Sequence, residues 1–227
     1  MSLPIKKSIF FTPRIYCGVF YILYNKNMNE ELLARARKIK VILNDIDGIW
    51  TDGKLHFFLT AEGKVEEIKS FNAQDGIAVM LLRAAGIKSG VITGRRHETT
   101  VSRARNLGMD FFYQGFLTKT LALEDILKRE NITAEEVAYV GDDLTDLPAM
   151  EKVGLAITVP NAVPVVQQAA HYVTTRRGGD GAYREAVDFI LTAQGKMPQL
   201  LENVHTGKWP TGEKKSLQII TSQEGIA

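Results

Sequence analysis

The sequence predicts an α/β fold, a doubly wound parallel sheet with a β-hairpin inserted after its first strand. Three observations lead there. Short apolar runs of strand length alternate with stretches of helical periodicity from residue 40 onward, the pattern of a parallel sheet wound by helices on both faces. Polar residues follow several of these runs directly, at the strand ends where such sheets hold ligands. One segment, "KLHFFLTAEGKVEEIKSF" (54–71), instead alternates apolar and polar residues around Ala61-Glu62-Gly63, as a hairpin does.

Taken in order, residues 1–27 stand apart from this pattern. "SIFFTPRIYCGVFYILYNKN" is apolar and aromatic but broken by Thr12-Pro13-Arg14, and its longest apolar run, Ile15 to Tyr24, is shorter than the ~20 residues of a membrane helix. Lys6, Lys7 and Arg14 would suit a signal peptide, yet no small-residue cleavage site follows. Two readings stand: an extension upstream of a start at Met28, or an added anchoring segment. "NEELLARARKIK" then reads as an amphipathic helix and residues 40–46 as the first strand. After the hairpin come a helix in "DGIAVMLLRAAG", closed by Gly86, and a buried strand "KSGVIT". A helix "HETTVSRARNLG" ending at Gly108, a strand "DFFYQG" and a helix "TKTLALEDILKREN" follow. Val137 to Val140 form a buried strand behind a Thr133/Glu136 capping signature. "LAITVPNA" and "HYVTT" are further strands separated by "VPVVQQAA", and "DGAYREAVDFILTAQG" is the closing helix. Residues 28–196 therefore form the domain, and 197–227 read as a polar, weakly patterned tail.

At 227 residues the chain can bury a large core as one domain with room for an insertion. Its 28 basic and 26 acidic residues leave a net charge of +2, which argues against nucleic acid or a membrane surface as a partner. The sole cysteine, Cys17, excludes an internal disulfide and fits a reducing compartment such as the cytoplasm.

Four segments place polar residues at strand ends or helix starts: Asp45 and Asp47 in "NDIDGIWTDG", Thr93 in "VITGRR", Lys119 in "LTKT", and Asp142 and Asp143 in "VAYVGDDLTD". Alone, each has a plain reading, as a turn former, a helix cap or a solvated lysine. Together they imply a cleft of carboxylates in which each pair at ~4 Å would cost ~4 kcal/mol at an effective dielectric near 20. A cation relieves that repulsion, and hard oxygen ligands with no His or Cys nearby point to Mg²⁺. Thr93 and Lys119 supply a hydroxyl and a positive charge for phosphoryl oxygens. One aspartate can attack phosphorus, and its neighbour two residues on can protonate the leaving alkoxide and then activate water. A signalling receiver domain uses similar groups, but its acidic pair, phosphorylated Asp, Thr and Lys come in another chain order. A scaffold that kept the fold without the chemistry would not need Asp45, Asp47, Thr93, Lys119 and Asp142 intact.

"DIDGIWTDG", "ITGR", Lys119 and "GDDLTD" resemble the four motifs of the haloacid dehalogenase-like phosphatases, over residues 41–150. The resemblance implies Asp45 as nucleophile and metal ligand, and Asp47 as acid/base with its backbone carbonyl on the metal. It also implies Asp142 as metal ligand and Asp143 as outer support orienting Lys119, with Gly94 and Asp146 in supporting places. "FNAQDG", "ITGRR", "VAYVGDDLTDLPAMEKVGL" and "GGDGAYREAVDFILTAQGK" are similar to the 3-deoxy-D-manno-octulosonate 8-phosphate phosphatases of lipopolysaccharide synthesis, over roughly residues 40–196. This subfamily has a short β-hairpin flap in place of a cap domain. The resemblance implies a phosphoric monoester hydrolase using Mg²⁺ on a small phosphosugar, and a homotetramer in which neighbours help close each site. Substrate contacts would fall on Asp47, Asn72, Gln74, Asp75, Gly76, Arg95, Arg103 and Lys119, with Gly178 to Arg184 covering the site.

Two departures accompany the match: Gln74 stands where the subfamily carries Arg, and the hairpin is longer. Trp50 in the first motif also resembles the nine-carbon 3-deoxy-nonulosonate 9-phosphate phosphatases, whereas Arg95 favours the eight-carbon sugar. From composition, Gly178-Gly179-Asp180-Gly181 reads as a flexible loop more than a phosphate cradle. His56, His97, His171 and His205 lack metal-ligand spacing, Trp50 is expected to pack behind the nucleophile turn, and Phe57 and Phe58 to form an interface or a core pair.

Overall fold

The structure, a computed structural model, describes residues 29–208 and 216–222; residues 1–27, with their two readings, lie outside the described residues. Helix α1 (Glu30–Arg37) leads into β1 (Val41–Asn44), and the hairpin β2 (His56–Leu59) and β3 (Val65–Ile68) follows. Next come α2 (Ala73–Ala84), β4 (Lys88–Thr93), α3 (Glu98–Leu107), β5 (Phe111–Gln114) and α4 (Lys119–Glu130). Then follow β6 (Val137–Val140), α5 (Leu147–Met150), β7 (Leu155–Thr158), α6 (Pro164–Ala169), β8 (Tyr172–Val173), α7 (Ala182–Ala193), α8 (Met197–His205) and β9 (Gln218–Thr221).

Seven strands form one parallel sheet in the order β8-β7-β6-β1-β4-β5-β9, with the antiparallel hairpin β2-β3 separate from it. β1 is central. Its Val41–Asn44 run pairs with Lys88–Val91 of β4 on one side and Val137–Val140 of β6 on the other. The chain goes from β1 toward β4 and β5, then returns to the far side of β1 at β6, so the direction of winding reverses at β1. That reversal opens a crevice at the carboxyl ends of β1, β4 and β6, the place where open parallel sheets bind ligands.

Every residue of β1, β6 and β7 is buried, as strands covered on both faces require. Helix α7 packs against α1 and α2, and α4 packs against α5. Local chemistry sets the helix ends. Asn72 caps α2, its side chain accepting the Gln74 N–H at 2.8 Å, so the helix starts ahead of the expected Asp75. Gly108, at φ 73°, ends α3 in the left-handed conformation that glycine tolerates. The Thr133/Glu136 capping box is present, on a single 3₁₀ turn (Ala134–Glu136) ahead of β6.

The C-terminal segment differs from the tail the sequence suggested. Met197 and Leu200, one helical turn apart, bury one face of α8, and Gln218–Thr221 adds a seventh strand along β5. The pairing satisfies backbone groups that β5 would otherwise expose at its edge. Four residues, of which only Ile220 is even partly buried, leave almost no periodic signal to read.

Candidate active site

The peptide of Asp45 continues the line of β1, its N–H donating to the Val140 carbonyl at 3.0 Å. The chain then coils into a tight turn in which the N–H groups of Ile49, Trp50 and Thr51 all converge on the Ile46 carbonyl. Gly48 sits in it at φ 91°, and a Cβ there would lie 1.9 Å from Asp142 Oδ2. Only glycine allows this turn to approach the β6 loop so closely. Trp50 is buried behind the turn, edge-on to Phe71 and Tyr183, as expected of it.

Lys119, at the start of α4, is buried and donates to Asp45 Oδ2 at 2.9 Å and Asp146 Oδ1 at 2.5 Å. The sequence reading gave the orienting role for Lys119 to Asp143; the structure gives it to Asp146. Asp146 is fully buried and all its acceptor positions are occupied: Oδ1 by Lys119 and the Tyr139 hydroxyl, Oδ2 by the N–H groups of Asp142 and Asp143. Asp143 is exposed and accepts the Leu144 N–H. Its side chain points away because the loop's inward position is taken by Asp146. Tyr139 carried no functional signal in the sequence; a hydroxyl on a wholly buried strand was the one hint available.

Carboxylate oxygens of Asp45, Asp142 and Asp146 lie within 4.8 Å of one another. Burial pushes the Asp45 carboxyl up to about 6 despite the pull of Lys119, and burial together with the Asp45 and Asp146 charges pushes Asp142 up to about 8. Burial opposes the Lys119 ammonium, but the two carboxylates outweigh it and raise its pKa. Asp45 Oδ1 and Asp142 Oδ1 are buried with no hydrogen-bond partner. Two unpartnered carboxyl oxygens, on side chains whose ligand atoms lie within 4.8 Å of each other and with Asp146 already saturated, are what a hard divalent cation fits.

Thr93 ends β4 on the same crevice, buried, its hydroxyl accepting the Arg95 N–H at 3.3 Å. Gly94 follows, where a Cβ would press on Leu117. Asp47 lies partly buried beside Lys69, which pairs with it, and Arg95, whose Nη1 is 3.7 Å from its Oδ2. Arg95 also grips Glu67 with both η nitrogens, at 3.1 and 2.5 Å. Lys69 and Glu67 escaped the sequence reading, although their spacing of two on a strand puts them on one face.

Four of the expected substrate residues, Asn72, Asp75, Gly76 and Arg103, form a second group, closely packed with Trp50, Phe71 and Leu107 around a shallow recess. Arg103 lies over the Phe71 ring, and a Cβ on Gly76 would meet its guanidinium at 2.7 Å, so Gly76 makes room for Arg103. Asp75 is buried; its Oδ1 accepts the Arg184 N–H at 2.8 Å and its Oδ2 has no partner. Burial pushes its pKa up to about 6, while Arg176, Arg184 and Arg103 draw it down. The Arg184 side chain pairs with Asp188. Gln74 is exposed and accepts from Arg176. The glycine loop is a close-packed brace: the Gly179 N–H donates to the Ile49 carbonyl, and a Cβ on Gly178 would meet the Gly48 carbonyl oxygen. Phe57 and Phe58 are exposed, so they form no core pair.

Residues 111–185 match the haloacid dehalogenase-like hydrolase family. The 3-deoxy-D-manno-octulosonate 8-phosphate phosphatase of Escherichia coli K12 is 39% identical over 172 residues, 76% of this chain and 89% of that protein. The chain belongs to this phosphatase family. The crystal structure of the Yersinia pestis phosphatase of the same name aligns with a TM-score of 0.71 and 39% identity, over 75% of this chain and 90% of that one. That of the Moraxella catarrhalis phosphatase, a complex with magnesium ion, phosphate ion and KDO, aligns with a TM-score of 0.73 and 36% identity, over 78% of this chain and 99% of that one. The family's fold, a mainly parallel sheet with a small hairpin, is the fold seen here.

Two outcomes are expected from this geometry. Asp142 has a folded-state pKa of about 8 against an ordinary 3.8, so the metal-free native protein holds that proton more tightly than the unfolded chain. Its contribution to stability is full below the ordinary value and is lost as pH rises through about 8. The metal-free Tm should therefore fall between about pH 5 and about pH 8, and Mg²⁺ should raise Tm most at the alkaline end. Asp142→Asn should flatten both trends; a Tm indifferent to Mg²⁺ at every pH would rule out a shared ion. Gly48→Ala should cost roughly 1–3 kcal/mol from its backbone alone, read from the denaturant midpoint, and more once its methyl group displaces Asp142.

Proposed function

We propose that the chain is a Mg²⁺-dependent phosphatase that releases phosphate from 3-deoxy-D-manno-octulosonate 8-phosphate through an aspartyl-phosphate on Asp45. The observation that carries the reading is the pair of buried, unpartnered oxygens of Asp45 and Asp142 beside a lysine locked between Asp45 and Asp146. Asp45 and Asp142 hold the ion, with the Asp47 carbonyl as the family resemblance implies. The ion, when bound, supplies positive charge that relieves carboxylate repulsion and neutralises the phosphoryl group.

Asp45 attacks phosphorus, forming the new O–P bond as the bond to the sugar oxygen breaks. Asp47 gives its proton to that oxygen. It then takes a proton from water, which attacks the phosphoenzyme, frees Asp45 and leaves inorganic phosphate. The Lys119 ammonium, held rigidly beside Asp45, and the Thr93 hydroxyl stabilise the equatorial phosphoryl charge. Asp146 and Tyr139 keep Lys119 in place, and Asp143 supports the loop outside the ion.

The sugar acid would lie toward the recess of Asn72, Asp75, Gly76 and Arg103, with Arg95 at the crevice and Arg184 bracing Asp75 through its N–H. Arg176, bonded to Gln74, brings a guanidinium to the place where the subfamily carries Arg, which supports an anionic sugar despite the exchange. A nine-carbon 3-deoxy-nonulosonate 9-phosphate is the alternative substrate.

No helix among the described residues is long and apolar enough to cross a membrane, and a cytoplasmic location forms part of this reading. So does a homotetramer. The hairpin supports it by exposing Leu55, Phe57, Phe58, Leu59, Val65 and Ile68, an apolar patch that an unassembled chain would leave in water.

Asp45→Asn should abolish turnover with the fold intact, and EDTA should abolish it in the unaltered protein until Mg²⁺ is restored; activity surviving either change refutes the mechanism. A panel of eight-carbon, nine-carbon and hexose phosphates should give the highest kcat/KM to the eight-carbon acid, and preference for a hexose phosphate would reject the substrate. Light scattering should give the mass of four chains, and Phe57→Asp with Leu59→Asp should lower it; a monomer in the unaltered protein would remove the assembly.

A further inference from the structure

We infer that Lys69 is a positioning residue for the reaction, holding the Asp47 carboxyl toward the leaving-group oxygen, with Glu67 fixing Lys69 in turn. This rests on the proposed role of Asp47 as acid/base. The hairpin buries the wrong residues for a structural element. Val65, Glu66 and Ile68 of β3 face solvent, while the charged side chains of Glu67 and Lys69 are the ones turned inward, 7% and 3% exposed. Ordinary strands bury the apolar side and leave the ammonium in water. Burying a lysine incurs a desolvation cost that a hydrophobic residue would avoid, and an ion pair bought that way is weak evidence for stability.

The geometry shows what the cost sustains. The Lys69 ammonium pairs with Asp47 Oδ1 and lies 3.1 Å from Glu67 Oε1. Glu67 uses its other contacts on Arg95, whose Nη1 reaches within 3.7 Å of Asp47 Oδ2. Two cations and two carboxylates thus close a ring, and Asp47 is held at one oxygen by a group from the hairpin and approached at the other from the β4 loop. Asp47 stands on a turn, two residues beyond the nucleophile, and without these partners its side chain would have two χ angles to fix. A fixed partner removes that freedom before substrate arrives, and such orientation is worth large factors in rate. Arg95, placed by family resemblance on the substrate, here also has its guanidinium committed to Glu67.

The test exploits leaving-group chemistry. A sugar alkoxide needs a proton to depart; 4-nitrophenolate does not. kcat/KM reports the steps through departure of that group, so misplacing Asp47 must slow the sugar phosphate selectively, whereas a general loss of structure slows both esters alike. With Mg²⁺ present, Lys69→Met should lower kcat/KM for the sugar phosphate by about 100-fold and for 4-nitrophenyl phosphate by less than about threefold. Lys69→Arg, which keeps a cation, should recover most of the loss. Glu67→Gln, a gentler change that keeps the hairpin's shape, should show the same selectivity at smaller size and decides the matter if Lys69→Met fails to fold. Equal losses on the two esters, or no loss, overturn the assignment. Asp47→Asn measured alongside separates the two levels. If it is selective and the Lys69 and Glu67 variants are not, the positioning role alone falls; if it is not selective, the acid/base reading falls and takes the positioning role with it.

Discussion

The structure depends on a collision of charge that the fold brings about and then contains. Parallel β1 and β6, in register from Val41 with Val137 to Asn44 with Val140, deliver Asp45 and the Asp142 loop to the same few ångströms. Buried carboxylates that close repel strongly, and low dielectric makes the repulsion worse. One lysine answers part of it. Lys119 arrives from α4 with its ammonium between Asp45 and Asp146, and the buried Asp146 is held by that ammonium, a phenol and two peptide N–H groups. The arrangement satisfies both oxygens of Asp146 and only one oxygen of Asp45. What remains is an unpartnered buried oxygen on Asp45 and another on Asp142, the kind of unsatisfied group that proteins tolerate for function.

Close backbone approach is the second constraint, and glycine meets it from both directions. Gly48 lets the Asp45 turn press on Asp142, and Gly178 and Gly179 let the loop ahead of α7 press on that same turn. The layers β6 loop, Asp45 turn and glycine loop are stacked with no room for a Cβ between them. Trp50 closes the stack from the core side against Phe71 and Tyr183. A carboxylate mounted this way has little freedom to reorganise, which is what electrostatic preorganisation requires. The same glycines read from composition alone suggest flexibility; their neighbours in space show the opposite.

Much of the site was legible because its residues sit at strand ends, where a switch from apolar to polar is visible in one dimension. Asp45, Thr93 and Asp142 follow that rule, Lys119 instead opens the helix after β5, and all four line one crevice. The choice between Asp143 and Asp146 was not legible. Both are acidic, three residues apart in one loop, and only the coiling of that loop decides which turns inward to meet Lys119 and Tyr139. Lys69 and Glu67 were illegible for a different reason. "KVEEIKSF" reads as a strand with its charged residues in solvent, whereas Glu67 and Lys69 turn their side chains inward while Lys64, Glu66 and Ser70 stay exposed. The edge strand β9 was hidden by brevity: four residues show no period, and the free edge of β5 that recruits them is a tertiary feature.

The hairpin joins these points. A flap that covers a crevice by hydrophobic burial would bring apolar groups to carboxylates that need cations, and the site would lose the field it was built to hold. Sending Lys69 and Glu67 inward together keeps the added charges balanced, one cation against one carboxylate, so the flap brings no net charge to the crevice. Arg95 and Lys69 outweigh burial and hold the Glu67 carboxyl below its usual range, so it stays ionised as the hinge of that ring. The apolar residues of the hairpin, Phe57, Leu59, Val65 and Ile68 among them, stay exposed. A period of two does not separate the two sets: Val65 shares the face of Glu67 and Lys69, and what sets them apart is position along the hairpin, Lys69 lying at its open end beside Asp47, with Val65 and Leu59 toward its turn.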